Sequence, residues 1–277
     1  MATATSILDN IRLRFGDASA NFITSTLGVS WLNKALEETV LSLMPLRRLK
    51  GTDVATNQEA FSIPSDAIMM ELVYHAKSQR RLVSRRGRDE FFARKQQIDN
   101  ALSDYPTIWT EFEDKVYVWP RYSGKSSTTA ASGAITSTSS TVSVATTSSL
   151  QSTGRVKINS EEMEYTNVST GNIKGVTRGV GGTSAASHAS GDTVTQMDLL
   201  MLYRRQHASI GTGGETVDIP PYLQPMLEDY ALYLAFMAEG SRERGKEQYE
   251  LYRAKLEQAE YAAKREHLGP LQVRNVL

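Results

Sequence analysis

Apolar positions recur at the helical period near both ends of this chain and alternate in short runs through its middle. Ile7, Leu8, Ile11 and Phe15 are spaced for one face of a helix over 6–15, which Thr5 or Ser6 can cap. Leu27, Trp31, Ala35, Leu36, Val40 and Leu43 predict a second helix over 26–43, with Pro45 just past its end. Residues 59–64 read as a short strand and 67–76 as a denser one, with 80–86 as its hairpin partner. A helix over 87–102 would turn Phe91, Ile98 and Leu102 inward. The cleanest hairpin is 107–120, where two alternating aromatic runs meet at the polar turn 113–115.

From Ser123 to about Thr195 the chain turns rich in Ser, Thr, Gly and Ala. The stretch 126–153 has a linker's composition. Yet 141–146, 155–168 and 172–177 alternate between Gly and Ser turns, which predicts a small all-β module. A strong strand follows at 197–206, then a polar loop. A helix from about Pro221 carries Leu223, Met226, Leu227, Tyr230, Leu234 and Met237 on one face. A long charged helix over 241–267 has a narrow stripe of Tyr249, Tyr252, Leu256 and Ala259, and Gly269-Pro270 ends it. The tail 271–277 is extended and fairly apolar, a candidate for docking elsewhere.

Composition narrows the function. With 277 residues, 40% hydrophobic and 22% charged, the chain has room for one or two globular domains. Its formal net charge is zero, so binding of nucleic acid or membrane through global charge is not suggested. The absence of cysteine excludes thiol catalysis and Cys-ligated metal centres. The first residues lack the pattern of a signal peptide, and no apolar run approaches the ~18–20 residues of a bilayer span. The expected setting is the cytosol, or assembly there.

The glycine-rich stretch 177–194 invites three chemical readings. A phosphate loop fails because "TRGVGGTS" has no lysine, and "GKS" at 124–126 has Trp119 where the leading glycine belongs. A hydrolase site would draw on Ser187, His188 and Asp192, but there is no nucleophile-elbow motif. His75, His188, His207 and His267 are never paired at i, i+4, so no helical metal site is visible. The carboxylates of "EEMEY" (161–165) alternate on a strand and are expected at the surface. The third reading is turn chemistry. Separately, Arg80, Arg81, Arg85, Arg86, Arg88, Arg94 and Lys95 form a basic run. It suits sequence-independent phosphate contact, but a solvated face diluted by Asp89 and Glu90 is the favoured account.

Residues 154–194 resemble a small β module found inserted in many tailed-bacteriophage structural proteins. The strand, the "E-x-x-x-Y" element and "TRGVGGTSAASHASGDTV" all carry the likeness. Its turn motif consists of Arg178, Gly179, Gly182, His188 and Gly191. Arg178 is expected to pair with Glu161, Glu162 or Glu164, and His188 to bond within the loop. The flanks resemble the podovirus head-to-tail adaptor (connector) family through "WLNKALEETV", "SIPSDAIMMELVYHA", "YPTIWTEFEDKVYVWP", "MDLLMLYRRQ" and "IPPYLQPMLEDYALYLA". The module lies where that family usually has only a short connection.

That resemblance implies an α+β fold, mainly an α-helical bundle with a small antiparallel sheet and an inserted all-β module. The domains would be a discontinuous adaptor core, 1–122 with 197–277, and the insert, 123–196. The implied function is structural and not enzymatic. Copies of the chain form a ring, usually of twelve, beneath the portal protein. The ring extends the channel for double-stranded DNA, which passes without sequence specificity, and it meets a tail tube or nozzle protein. Leu271, Val273, Arg274, Val276 and Leu277 would dock on the portal. Arg80, Arg81, Arg85, Arg86 and Arg88 would make subunit or portal contacts. No cofactor, metal or membrane is implied. The location is the virion head-tail junction after assembly in the host cytoplasm. The alternative is a tail-associated module whose β insert recognises a host glycan or a tail fibre. Deleting a purely decorative insert should leave the core folded.

Overall fold

Thr3 begins the first helix: its hydroxyl oxygen accepts the Ser6 N–H, which satisfies one of the orphan donors at a helix start. The computed structural model describes residues 2–85, 87–97 and 102–268. Helix α1 is Ala4–Phe15, closed by Gly16 in the left-handed region. Helix α2 is Ser25–Leu43, capped by Thr24. The chain divides into two compact units, Met1–Leu46 with Arg205–Leu277, and Arg47–Arg204.

Among the described residues, the second unit contains the named strands, save the last residue of the final one, and one helix. Its first part comprises β1 (Arg47–Thr52), β2 (Ala60–Ser62), β3 (Ala67–His75), β4 (Arg80–Arg81), β5 (Val83–Ser84), α3 (Arg88–Gln97), β6 (Leu102–Ser103), β7 (Ile108–Phe112), β8 (Lys115–Trp119) and β9 (Arg121–Tyr122). Strands β7 and β8 form the expected hairpin, with Ile108 opposite Trp119 and Phe112 opposite Lys115. Its two turn residues, Glu113 and Asp114, both take positive φ, the geometry whose twist matches the flanking strands. The segment 80–86 is only briefly a partner of β3. Arg80 and Arg81 pair with it, and then β5 leaves to run parallel to β7. In α3, Phe91 is buried against Ile108 and Trp119. Leu102, expected inward, lies in β6 and is 45% exposed, while Ile98 lies outside the described residues.

The remainder of that unit comprises β10 (Thr128–Ala130), β11 (Thr141–Ser143), β12 (Gly154–Ile158), β13 (Glu161–Tyr165), β14 (Asn167–Ser169), β15 (Asn172–Lys174), β16 (Thr177–Val180), β17 (Thr193–Gln196) and β18 (Leu199–Arg205). The stretch 126–153 thus contains two strands, though its composition resembles a linker's. Each buries a single central residue, Thr129 or Val142, too little for a period-2 signal. The sheet orders are β1-β18-β3-β4, β10-β17-β12-β13-β16, β11-β15-β14, β2-β8-β7-β5 and β6-β9. Two large cores result. One joins Val73, Trp109, Val118 and Tyr203; the other joins Val142, Val156, Met163, Tyr165 and Val194.

The first unit resumes with a short turn at Pro221–Leu223, then α4 (Gln224–Glu239) and α5 (Arg242–Leu268). Its core is made by α1, α2, α4 and α5, from Ile7, Leu32, Leu36, Leu227, Leu232 and Tyr252 among others. Tyr249, Leu256 and Ala259 pack against it, as the stripe along α5 predicts. On α4 the buried face is rotated toward Ala231 and Ala235, and Met237 is 43% exposed. Small residues there permit close approach of α5, where a side chain at Gly245 would crowd Met237.

The expectation of a mainly helical bundle is therefore corrected. The chain is 32% helix and 31% strand, a β-rich α+β fold. Long helices announce themselves by many repeats of one period. Strands of two to four residues contribute at most two buried positions each, so they weigh little in the sequence although they outnumber the longer strands of the second unit.

Candidate functional site

The glycine-rich stretch is organised around one carboxylate. The alternation of β13 turns Glu161, Met163 and Tyr165 to one face, and all three are buried. Glu161 and its neighbour Glu162 are 1% and 3% exposed, so the expectation of surface carboxylates at 161–165 is corrected for these two. Arg178, from β16, grips Glu161 with two bonds, Nε–Oε1 at 2.8 Å and Nη2–Oε2 at 2.7 Å. The same carboxylate accepts the N–H groups of Gly179 and Ala186 at 3.0 and 2.9 Å. His188 Nε2 lies 2.8 Å from Oε2. Burial pushes the Glu161 carboxyl up, but these donors together pull it down to about 2.

His188 is thus occupied. On its other side Nδ1 is 3.5 Å from Asn159 Nδ2 and 3.9 Å from Asp192 Oδ2. Asp192 also accepts from Asn159 and from the Ala189 N–H. Ser187 is exposed. His188 and Asp192 of the hydrolase reading are therefore held in the hydrogen bonds of the turn. Gly179, Gly182 and Gly191 all take positive φ, and at Gly179 a side chain would meet the Ala185 backbone nitrogen at 2.9 Å. The "GKS" serine, Ser126, donates to buried Asp198 at 2.7 Å and accepts the Val54 N–H. Burial raises the Asp198 carboxyl above its ordinary value.

The module is stitched to the sheet that precedes it. Gln196 N–H donates to Ser127 O at 2.8 Å, so the two ends of 123–196 lie side by side. Strand β1 is an edge strand. Arg155 of β12 donates to its Leu49 carbonyl at 2.5 Å, and Glu162 of β13 accepts its Gly51 N–H at 3.0 Å. Those side chains occupy positions a further strand would take. Nothing in the local alternation signals this role; only the long separation in sequence between β1 and β13 is bridged by the fold.

The basic run is spread over several elements. Arg80 and Arg81 are exposed on β4. Arg85 pairs with Glu90 at 3.0 Å. The Arg88 guanidinium stands 4.6 Å from the Phe112 ring centre. Lys95 bonds Glu59 and lies over Trp119. Arg94 donates to Gln97. Arg86 lies outside the described residues, as do Leu271, Val273, Arg274, Val276 and Leu277. In the helical unit, Leu251 and Tyr261 of α5 are 48% and 68% exposed, on the side away from its packed stripe.

Among the described residues no group of three or more His, Asp or Glu is arranged to hold a metal ion. No described helix is long and apolar enough to cross a membrane. His75 is buried, and burial foremost, with Lys77 adding to it, lowers its imidazole to about 4. His207 is half-buried, with Nδ1 3.0 Å from the Ala208 carbonyl.

The family model of the SU10 adaptor protein matches residues 2–274, a span that includes both compact units and runs through 123–196. No curated protein matches the chain. A match over nearly the whole length places this chain in the SU10 adaptor protein family, the structural adaptors of the bacteriophage virion at the head-tail junction.

Proposed function

We propose that the chain assembles into a ring, twelve copies in the usual case, beneath the portal. The ring extends the DNA channel and receives the tail tube or nozzle. The observation that carries this reading is the family match over residues 2–274. The one-sided packing of α5 supports it. Tyr249, Tyr252, Leu256 and Ala259 face the core of the unit, while a charged outer face with Leu251 and Tyr261 remains for neighbours. Side-by-side contact in a ring uses two different faces of each copy, so no self-complementary patch is required.

In this reading residues 271–277 dock on the portal through Leu271, Val273, Val276 and Leu277, with Arg274 as the charged contact. Arg80, Arg81, Arg85, Arg86 and Arg88 meet neighbouring subunits or the portal. Residues 123–196 form an accessory β module, and its turn residues Arg178, Gly179, Gly182, His188 and Gly191 hold that module together. DNA passes without sequence-specific contact, and the copies assemble in the host cytoplasm.

Native mass spectrometry of the purified chain, alone and mixed with the portal ring from the same genome, tests the proposal. The expected result is a monomer alone and a twelvefold layer on the portal. A chain that ignores the portal overturns it.

A further inference from the structure

A cleft of about 410 Å³ opens in the second unit among β1, the segment after β2, and β12, a volume in the range that accommodates small ligands or a few residues of peptide. Lys50 of β1 and Lys157 of β12 both line it and both are half-buried. Neither closes an ion pair among the described residues. An ammonium group partly withdrawn from water without a direct ion pair is costly, and here two come from different strands to the same space, with the Glu162 carboxylate acting on both only at longer range. The hydroxyls of Ser62 and Ser65 stand exposed in the same lining, able to donate or accept.

Glu162 also lines the cleft, but it does not neutralise these lysines fully. One of its oxygens is held by the Gly51 N–H at 3.0 Å, and Arg155 stands 3.9 Å from it. Burial raises its carboxyl above the ordinary value, against the pull of Gly51, Arg155, Lys50 and Lys157. The remaining acid of the lining, Asp53, is exposed.

We propose that this cleft is a docking site for an acidic peptide segment of a partner protein, whose side-chain carboxylate sits between the ammonium groups of Lys50 and Lys157. The Ser62 and Ser65 hydroxyls serve the backbone of that segment. A peptide carboxylate fits better than a phosphate. Glu162 and Asp53 share the space, and repulsion from them grows with the charge of the guest. The site does not depend on ring formation.

Met197 and Met201 line the same cleft, so methyl labelling of methionine in the full chain provides local reporters. The probes are the capped tripeptide acetyl-Ser-Glu-Ser-amide, its Gln counterpart, and inorganic phosphate, each followed by methyl NMR. The Glu peptide is expected to move the Met197 and Met201 signals saturably while Met226, in the other unit, stays still. The Gln peptide, and the Lys50→Gln/Lys157→Gln variant with the Glu peptide, are expected to bind at least ten-fold more weakly. Should that double variant lose its dispersed methyl spectrum, Lys157→Gln alone carries the comparison. Absence of a saturable shift, equal binding of the Gln peptide, undiminished binding by the lysine variant, or a response to phosphate alone would each overturn the proposal.

Discussion

Arg14 of α1 donates to the carboxylate of Asp229 on α4 at 2.7 Å, and Asp229 is wholly buried. Lys255 of α5 reaches the other oxygen of the same group. One acid thereby joins three helices, and each base keeps part of its surface in water, with 37% and 40% of the side chains exposed. A buried carboxylate without a base is expensive, whereas these two bases can turn outward to solvent. Arg14→Ala should therefore cost less than a fully buried pair would, about 1 kcal/mol, since Lys255 remains. The Arg14→Ala/Lys255→Ala double variant should cost about 3 kcal/mol or more, beyond the sum of the singles. Urea unfolding followed on the helical signal measures both; simple additivity would count against a shared role for Asp229.

Glu161 makes the second unit sensitive to acid. Its carboxyl is held at about 2 in the folded chain, below the ordinary value of 4.5. Unfolding therefore takes up a proton in the interval between them. The stabilisation is complete above pH 4.5 and is lost as pH falls toward 2. Glu161→Gln should lower stability at neutral pH by about 3 kcal/mol, because Arg178 loses its buried partner. It should also flatten the slope of stability between pH 4.5 and 2. Denaturant titrations of both proteins across that interval check it, and parallel slopes would remove Glu161 from the account.

How much of this was legible differs from place to place for physical reasons. The hairpin 107–120 was readable because Ile108, Trp109, Val116, Val118 and Trp119 are all buried and fall in two short runs joined by one tight turn. The stripe of α5 was readable because it repeats over several turns. The β content was underweighted because strands such as 128–130 and 141–143 bury one side chain apiece. Glu161 was within reach: period 2 places it with Met163 and Tyr165, and the E-x-x-x-Y spacing marks both ends of that inner face. Its partners, Arg178 and His188, lie 17 and 27 residues away. Which of three nearby acids Arg178 meets depends on the register of β13 with β16, which no local pattern fixes. The edge-strand clamp of Arg155 and Glu162 was not legible at all, since it joins residues 106 and 111 positions apart.

Two glycines of the turn motif should respond differently to the same change. At Gly191 φ is +94° and a methyl group would meet nothing within 4 Å, so Gly191→Ala carries only backbone strain, about 1 kcal/mol. At Gly179 φ is +62° and a methyl group would press on the Ala185 nitrogen at 2.9 Å, within the loop that feeds amides to Glu161. Gly179→Ala should cost about 3 kcal/mol, strain and displacement together. Thermal melts of the two variants provide the comparison; equal losses would mean that the loop yields freely.

Removing residues 128–195 is expected to do more than trim decoration. Arg155 and Glu162 would vanish from the edge of β1, and Leu49 O and Gly51 N–H would lose their partners. An exposed edge recruits other strands, so the shortened chain should associate where the full chain does not. Glu162→Ala is the gentler form of the same experiment, and the Gly51 amide should then exchange with solvent at least ten-fold faster. Light scattering reads the first and hydrogen exchange the second. An unassociated deletion variant whose Gly51 amide stays protected would show that the clamp is dispensable.

Arg80 and Arg81 separate assembly from stability. Both are exposed on a two-residue strand, and neither closes an ion pair among the described residues. Within the chain they therefore contribute little, and Arg80→Glu/Arg81→Glu should shift stability by no more than about 0.5 kcal/mol. Arg85 is different, since its pair with Glu90 is half-exposed and worth at most about 1 kcal/mol. If the proposed subunit or portal contacts run through this face, charge reversal at 80 and 81 acts across the interface, where like charges repel and acids lose their partners. Formation of the layer on the portal should then weaken at least ten-fold while the melting temperature of the isolated chain stays put, and native mass spectrometry beside a thermal melt gives both readings from one preparation. A variant that assembles as well as the parent would assign these arginines to solvent. One that fails to fold would mean that the edge of β3 needs them.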